Sequence, residues 1–176
     1  MNLDFFQTAD ADLLQQAFAL RRQVWAELPG VDSQSALSGG LDDGFDATGL
    51  HWVVVAEGSV IASARLCLCD SLAALPDAYV FRDAADEVPL PTSAINRLVV
   101  HRDYRGRGLA SRLDSIRLAE ARGRGCASVT ACWSPFSGER RRLAIEALGF
   151  MPVQGGREHP AREPLRHLIG FCYRVA

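Results

Sequence analysis

The sequence predicts an α/β (α+β) domain. It consists of a mixed seven-stranded sheet flanked by about four helices, in the order β-α-α-β-β-β-α-β-α-β-β. Three observations carry the prediction. An apolar run, an Arg/Gly turn and an amphipathic helix follow one another between Ile95 and Glu120. Segments with two-residue alternation interleave with segments of helical period along the chain, rather than collecting in separate blocks. The chain has 176 residues, of which 48% are hydrophobic and 23% charged, which suits a single domain (1–176) with one substantial core.

Taken in order, Leu3 to Gln7 reads as a first strand, and Thr8 or Asp10 can cap the helix after it. Leu13, Ala17, Leu20, Val24 and Leu28 give that helix a buried stripe, widened by Leu14, Phe18 and Trp25, and Pro29-Gly30 ends it. A short helix is expected around Ser33 to Leu37, then an acidic loop holding Asp42, Asp43 and Asp46. The DDGFD run lacks the spacing of a calcium loop, so it is expected to be a solvated loop. His51 to Ala56 and Val60 to Cys69 form a hairpin across Glu57-Gly58-Ser59. Cys67 and Cys69 share a face as small buried side chains, and His51 opens the hairpin as a candidate site-lining residue. Residues 70–92, broken by Pro76, Pro89 and Pro91, hold a short helix from Val80 to Glu87.

The strand at Ile95 to Val100 comes next, then a helix with Leu109, Leu113, Ile116 and Ala119 on one face. Arg122-Gly123-Arg124-Gly125 closes that helix with glycines and cations. Cys126 to Trp133 is a fifth strand and Glu139 to Leu148 a helix. Phe150 to Gln154 and Leu165 to Val175 are the last strands.

The turn between the strand and the helix has the makings of an anion site. The first N–H groups of a helix lack internal partners and sit at the positive end of its dipole. Gly106 and Gly108 let the backbone approach a ligand without a Cβ in the way, and Arg102, Arg105, Arg107 and Arg112 supply guanidinium groups nearby. The dinucleotide fingerprint does not fit, because Ser111 stands where a third Gly or Ala would sit. The P-loop does not fit either, because no Lys follows the glycines.

Arg105-Gly106-Arg107-Gly108-Leu109-Ala110 resembles the pyrophosphate-binding motif of the GNAT acyltransferase superfamily, Arg/Gln-x-x-Gly-x-Gly/Ala. Leu98-Val99-Val100 resembles the family's fourth strand, and Leu148-Gly149-Phe150 its closing turn. The resemblance covers roughly the second half of the chain. It implies the GNAT fold and an acyl-CoA co-substrate, acetyl-CoA first, with no metal. The pyrophosphate would rest on Arg105, Gly106, Arg107, Gly108, Leu109, Ala110 and Ser111, and the pantetheine arm would pair with the backbone of Leu98, Val99 and Val100.

The reaction implied is attack by an amine on the thioester. Here the chain departs from the family pattern: Ile145 replaces the usual Tyr acid, Gly138 a common Asn, and Asn96 the frequent Glu base. Asn96 and Ser134 are the candidate catalytic residues, with Cys132 and His101 behind them.

Charge is unevenly distributed. Residues 1–96 carry −10, residues 97–142 carry +7 and residues 143–176 carry +1. A basic centre suits a polyanionic cofactor, and the acidic Asp32–Asp46 region suggests a cationic acceptor. The expected partner is therefore a small-molecule or peptide amine. Nucleic acid is not expected, since no aromatic stacking series accompanies the arginines. The longest apolar run is too short for a membrane span. Five cysteines without a CxxC pair, and a start unlike a signal peptide, point to the cytoplasm. A monomer or homodimer is expected. Two other functions share this fold. One is a non-catalytic acyl-CoA sensor, motivated by Ile145 and Gly138. The other is a longer-chain acyltransferase resembling autoinducer synthases, motivated by Trp25, Ala64-Arg65-Leu66 and His51-Trp52.

Overall fold

Asp10 starts the first helix through its side chain, whose Oδ1 accepts the N–H groups of Asp12 and Leu13, each at 3.0 Å. Two of the helix's four orphan donors are satisfied this way, and α1 then runs Ala11–Ala26. The computed structural model describes residues 3–27, 43–153, 157–158 and 167–175. The helix expected at Ser33–Leu37, and the Pro29-Gly30 stop, lie outside them. The sheet is mixed, as expected, and the chain divides into two compact units. One comprises Met1–Leu66 and Ile95–Arg117, the other Cys67–Ala94 and Leu118–Ala176.

In the first unit β1 (Asp4–Thr8) pairs antiparallel with β2 (Leu50–Ala56), with Phe6 opposite Val53. β2 pairs antiparallel with β3 (Ser59–Cys69), and β4 (Thr92–Val100) lies next in order. Glu57 and Gly58 both have positive φ, 51° and 79°, the pattern of a two-residue type I′ hairpin turn that brings Ala56 opposite Ser59. The core of this unit joins Ala17 and Leu20 of α1 to Val53, Val60 and Val99, with Leu13, Val24 and Trp25 packed around them. The expected stripe of α1 is thus observed over the described residues. It also carries an unexpected member, since Arg21 is 2% exposed.

In the second unit, the first residues of β4 lie along β5 (Ser128–Trp133). Ala127 N–H bonds Pro91 O, Thr92 Oγ1 bonds Ser128 O, and Thr130 Oγ1 bonds Ser93 O. Both strands ascend together, so the pair is parallel. β5 pairs antiparallel with β8 (His167–Arg174), which also pairs with β6 (Met151–Pro152) and β7 (Arg157–Glu158). The two-residue β7 was not expected. The short helix in 70–92 is α2, Ala78–Phe81, rather than Val80–Glu87. After Phe81 the bonds shorten to three-residue turns, Ala84 to Phe81 and Glu87 to Ala84, and the α pattern stops.

Gly170 on β8 leaves room for the buried Phe81 and Val80. A Cβ there would stand 2.8 Å from Phe81 Cε1 and 3.0 Å from Val80 Cγ1. Gly170→Ala should therefore cost about 1–3 kcal/mol through overpacking, read as a lowered thermal midpoint. An unchanged midpoint would mean the Phe81 ring can move away freely.

Helix α3 (Leu109–Gly123) corrects the expected face. Leu109 and Leu113 are buried, but Ile116 is half-buried and Ala119 exposed. Their places are taken by Asp114 and Arg117, both 0% exposed and ion-paired to each other. Arg117 also gives Nη1 to the backbone carbonyls of Arg65 and Asn96. A buried guanidinium survives because its donors are used. Helix α4 is Glu139–Ala147, with Ile145 fully buried.

Candidate functional site

The turn at residues 101–108 opens a cleft of about 290 Å³, lined by Val100, Tyr104, Arg105, Gly106, Gly108, Leu109, Ala110 and Ser111. Two features of the local sequence make it. Gly106 and Gly108 take φ of 77° and 75°, and a Cβ at either would meet no atom within 4 Å. Arg112 N–H makes the first α-helical bond, to Gly108 O at 3.0 Å, so the N–H groups of Leu109, Ala110 and Ser111 precede the ladder. Partial positive charge collects at that end of a fifteen-residue helix.

The structure separates the candidate residues of the motif. Arg105 lines the cleft, held by its own Nε on Val100 O at 3.1 Å and by Nη2 on Glu27 Oε2 at 2.8 Å. That ion pair is half-exposed on the arginine side and weak enough to exchange for another anion. Arg107 turns away, lying over the Tyr104 ring at 5.0 Å and donating to Asp103 O. Arg112 stacks on Phe5 at 3.9 Å. The expected ring of four guanidinium groups is therefore mainly a ring of backbone. Leu98 is half-buried, and Val99 is part of the hydrophobic core, so its side chain serves packing.

Asn96 sits in a second arrangement within the same unit. Its Oδ1 accepts Arg65 Nε at 2.9 Å. Arg65, 0% exposed, grips Asp43 with two hydrogen bonds of 2.8 and 2.7 Å and reaches Asp46 at 2.7 Å. Arg97 gives Nη2 to Asp43 at 2.6 Å, and Arg21 Nη1 bonds both oxygens of Asp46 at 2.9 and 2.8 Å. Gly49 permits this packing, because a Cβ there would stand 2.7 Å from Arg65 Cδ and 2.8 Å from Phe45 O. His51 Nε2 lies 3.0 Å from Asp46 O, and its ring meets Phe18 edge-on.

The sequence reading made Asp43 and Asp46 part of a solvated acidic loop facing a cationic acceptor. In the structure both carboxylates are committed to arginines. Asp32 and Asp42 lie outside the described residues. No group of three potential metal ligands occurs among the described residues.

Arg97 also carries backbone strain. Its φ is +51° within β4, and Asn96, Arg97 and Leu98 are all half-buried between buried Ile95 and Val99, so the two-residue alternation is interrupted there. A non-glycine residue in this region costs on the order of 1–3 kcal/mol, and such residues cluster at functional sites. Nothing in the sequence marks Arg97 as strained.

In the other unit, Ser134 ends β5 with its Oγ buried and without a hydrogen-bond partner among the described residues. Gly138 has φ of 77° and accepts Trp133 Nε1 on its carbonyl. Cys132 is half-buried and burial pushes its thiol up. His101, in the first unit, meets the Tyr104 ring edge-on.

Burial pushes the Asp43 carboxyl up, but hydrogen bonds from Arg65 and the charges of Arg97 and Arg65 outweigh it and hold it well below the usual range. Burial lowers the pKa of His51 from 6.5, against the opposing pull of Asp46. In both cases the unfolded chain binds a proton that the folded chain refuses, so stability is lost as pH falls. The His51 share goes first, below about 6.5, and the Asp43 share below about 3.8. Thermal midpoints measured from pH 8 to pH 3 should fall in these two windows, and His51→Gln should remove the upper phase. A midpoint rising between pH 6.5 and 5 would contradict this.

Among the described residues no helix is long and apolar enough to cross a membrane. A family model described as the acetyltransferase (GNAT) family matches residues 16–150. The fold is similar to that of an N-acetyltransferase from Staphylococcus aureus Mu50, with 15% identity, TM-score 0.69 and full coverage of both chains. It is similar to a Bacillus subtilis acetyltransferase in complex with CoA, with 11% identity, TM-score 0.67, and 99% of this chain and 100% of that one covered. It is also similar to FeeM, an N-acyl amino acid synthase from uncultured soil microbes, with 9% identity, TM-score 0.73, and 99% and 91% covered. No curated protein matches the sequence.

Proposed function

Since the chain belongs to the acetyltransferase (GNAT) family, we propose that it transfers an acyl group, acetyl first, from coenzyme A to a primary amine of a small molecule or peptide. The observation that carries this is the cleft lined by Gly106 and by Gly108 to Ser111 at the start of α3. Its backbone N–H groups suit the pyrophosphate of coenzyme A, with Arg105 exchanging Glu27 for a phosphate oxygen. The pantetheine amides would continue along β4 by strand addition, at Leu98 to Val100.

In the reaction, the amine nitrogen forms a bond to the thioester carbonyl carbon, and the carbon–sulfur bond breaks. The amine loses one proton, and the coenzyme leaves as a thiolate that takes up one proton. Asn96, whose oxygen accepts Arg65 Nε, is the candidate for orienting a carbonyl or water oxygen; an amide cannot take a proton. Ser134, whose buried hydroxyl has no hydrogen-bond partner among the described residues, is the other candidate catalytic residue, a hydroxyl able to donate a proton.

The test is release of free thiol from acetyl-CoA across an amine panel, with a thermal-shift comparison of acetyl-CoA and coenzyme A. A stabilising shift with turnover supports the reading. A shift without turnover on any acceptor favours an acyl-CoA sensor, a reading supported by the fully buried Ile145 where an acid would stand. A series of donors from acetyl to dodecanoyl tests the longer-chain alternative, which the likeness to FeeM keeps in view.

A further inference from the structure

We propose that Glu27 is a latch on the coenzyme cleft: it competes with the diphosphate for Arg105, so that seating the coenzyme frees the end of α1. The inference rests on the acyltransferase reading and concerns the regulation of that same site.

Arg105 has one contact that anchors it and one that can be exchanged. Its Nε donates to Val100 O at 3.1 Å, which holds the guanidinium at the wall of the cleft. Its Nη2 donates to Glu27 Oε2 at 2.8 Å. This pair leaves 50% of the arginine side chain and 30% of the glutamate side chain exposed. Water therefore screens the attraction, and a diphosphate with two charges outcompetes a single carboxylate for the same guanidinium.

Glu27 stands where its own helix serves a carboxylate poorly. It is the C-cap of α1, at the negative end of a sixteen-residue helix whose last turn holds no basic residue. Along the chain the nearest cation before it is Arg22, and none follows until His51. The cation that meets Glu27 comes from the cleft, 78 residues away in sequence. Once a diphosphate takes Arg105, the Glu27 carboxylate faces both the negative helix end and the phosphate charges. Moving out of the cleft relieves both repulsions, and the last turn of α1 loses the tie that held it there.

That turn also reaches a second part of the same unit. Glu27 N–H bonds Trp25 O, and the Arg97 guanidinium lies over the Trp25 indole at 5.4 Å. Arg97 is the residue of β4 with positive φ. The end of α1 thus meets the cleft at Arg105 and the strained strand at Arg97. Linkage is reciprocal: the grip of Glu27 on Arg105 weakens coenzyme binding by the same factor by which the coenzyme weakens that grip.

The experiment titrates coenzyme A and inorganic pyrophosphate, by calorimetry, into the full chain and into Glu27→Gln, Arg105→Gln and the double variant. Glu27→Gln should bind both ligands about three- to tenfold more tightly, the combined effect of a partly exposed ion pair and a helix-end charge. Arg105→Gln should weaken both, and in that background Glu27→Gln should lose most of its effect. Amide hydrogen exchange from Val24 to Glu27 should speed up when coenzyme A is added to the unaltered chain. In Glu27→Gln it should already be fast and stay level. Thermal midpoints check that each variant folds. Unchanged or weaker binding by a folded Glu27→Gln, an equal gain in the Arg105→Gln background, or exchange that stays level or slows in the unaltered chain overturns the latch and leaves the cleft as the coenzyme site. Binding of pyrophosphate but not coenzyme A, tightened by Glu27→Gln, keeps the latch and overturns the acyltransferase reading. Binding of neither ligand overturns both.

Discussion

Asp43→Ala is expected to cost about 3–5 kcal/mol of stability, the usual consequence of removing one partner from a buried ion pair. For a chain of this length that lowers the thermal midpoint by roughly 6–20 °C. Asp43 accepts both arms of Arg65 and one from Arg97. Without it, Arg65 and Arg97 lose the carboxylate that the structure sets against them. Asp83→Ala serves as the contrast: its pairing with Arg82 is 65% exposed on both sides, and its loss should stay within about 0.5 kcal/mol. The double variant Asp43→Ala with Arg65→Met should recover part of the loss, because the orphaned charge is removed along with its partner. If Asp43→Ala and Asp83→Ala unfold at the same temperature, the cluster is not a buried electrostatic unit.

Gly108→Val should abolish coenzyme A binding, weakening it by about a hundredfold or more. Losing even two hydrogen bonds from helix-start amides to a charged phosphate removes roughly 3 kcal/mol. The added side chain would also project into the cleft, where a Cβ meets no protein atom within 4 Å. Because φ at Gly108 is +75°, the variant also carries on the order of 1–2 kcal/mol of backbone strain. Gly58→Ala controls for that strain. It has φ of +79° and open space around it, but it lies in the β2–β3 hairpin. It should lower stability and leave coenzyme A binding unchanged, as read by calorimetry. Normal binding by Gly108→Val would mean that the cleft is not the phosphate site.

Elements whose cause lies within a few residues were legible in the sequence. Asp10 caps α1 through a contact two and three residues away. Glu57-Gly58 closes a hairpin because the turn itself demands positive φ. The glycine turn before α3 is local for the same reason, which is why the cleft could be expected from six consecutive residues. The helix face of α3 was misread at Ile116 and Ala119, because hydropathy counts Asp114 and Arg117 as solvent-facing. Their burial depends on contacts far away in the chain: Arg117 reaches the carbonyl of Arg65, 52 residues away.

The sequence by itself determined the interleaved strands and helices, the capped start of α1, and the positive-φ turn at Gly106 and Gly108, all of which follow from short-range geometry. The tertiary structure alone decided the fate of the charges. Arg21, Asp43, Asp46, Arg65 and Arg97 come from four separate segments. Each would be written as a surface residue, since a lone charge is costly to bury. Only when the fold brings them within hydrogen-bonding distance does mutual pairing offset that cost. Asp43 and Asp46 then become part of a buried ion-pair cluster.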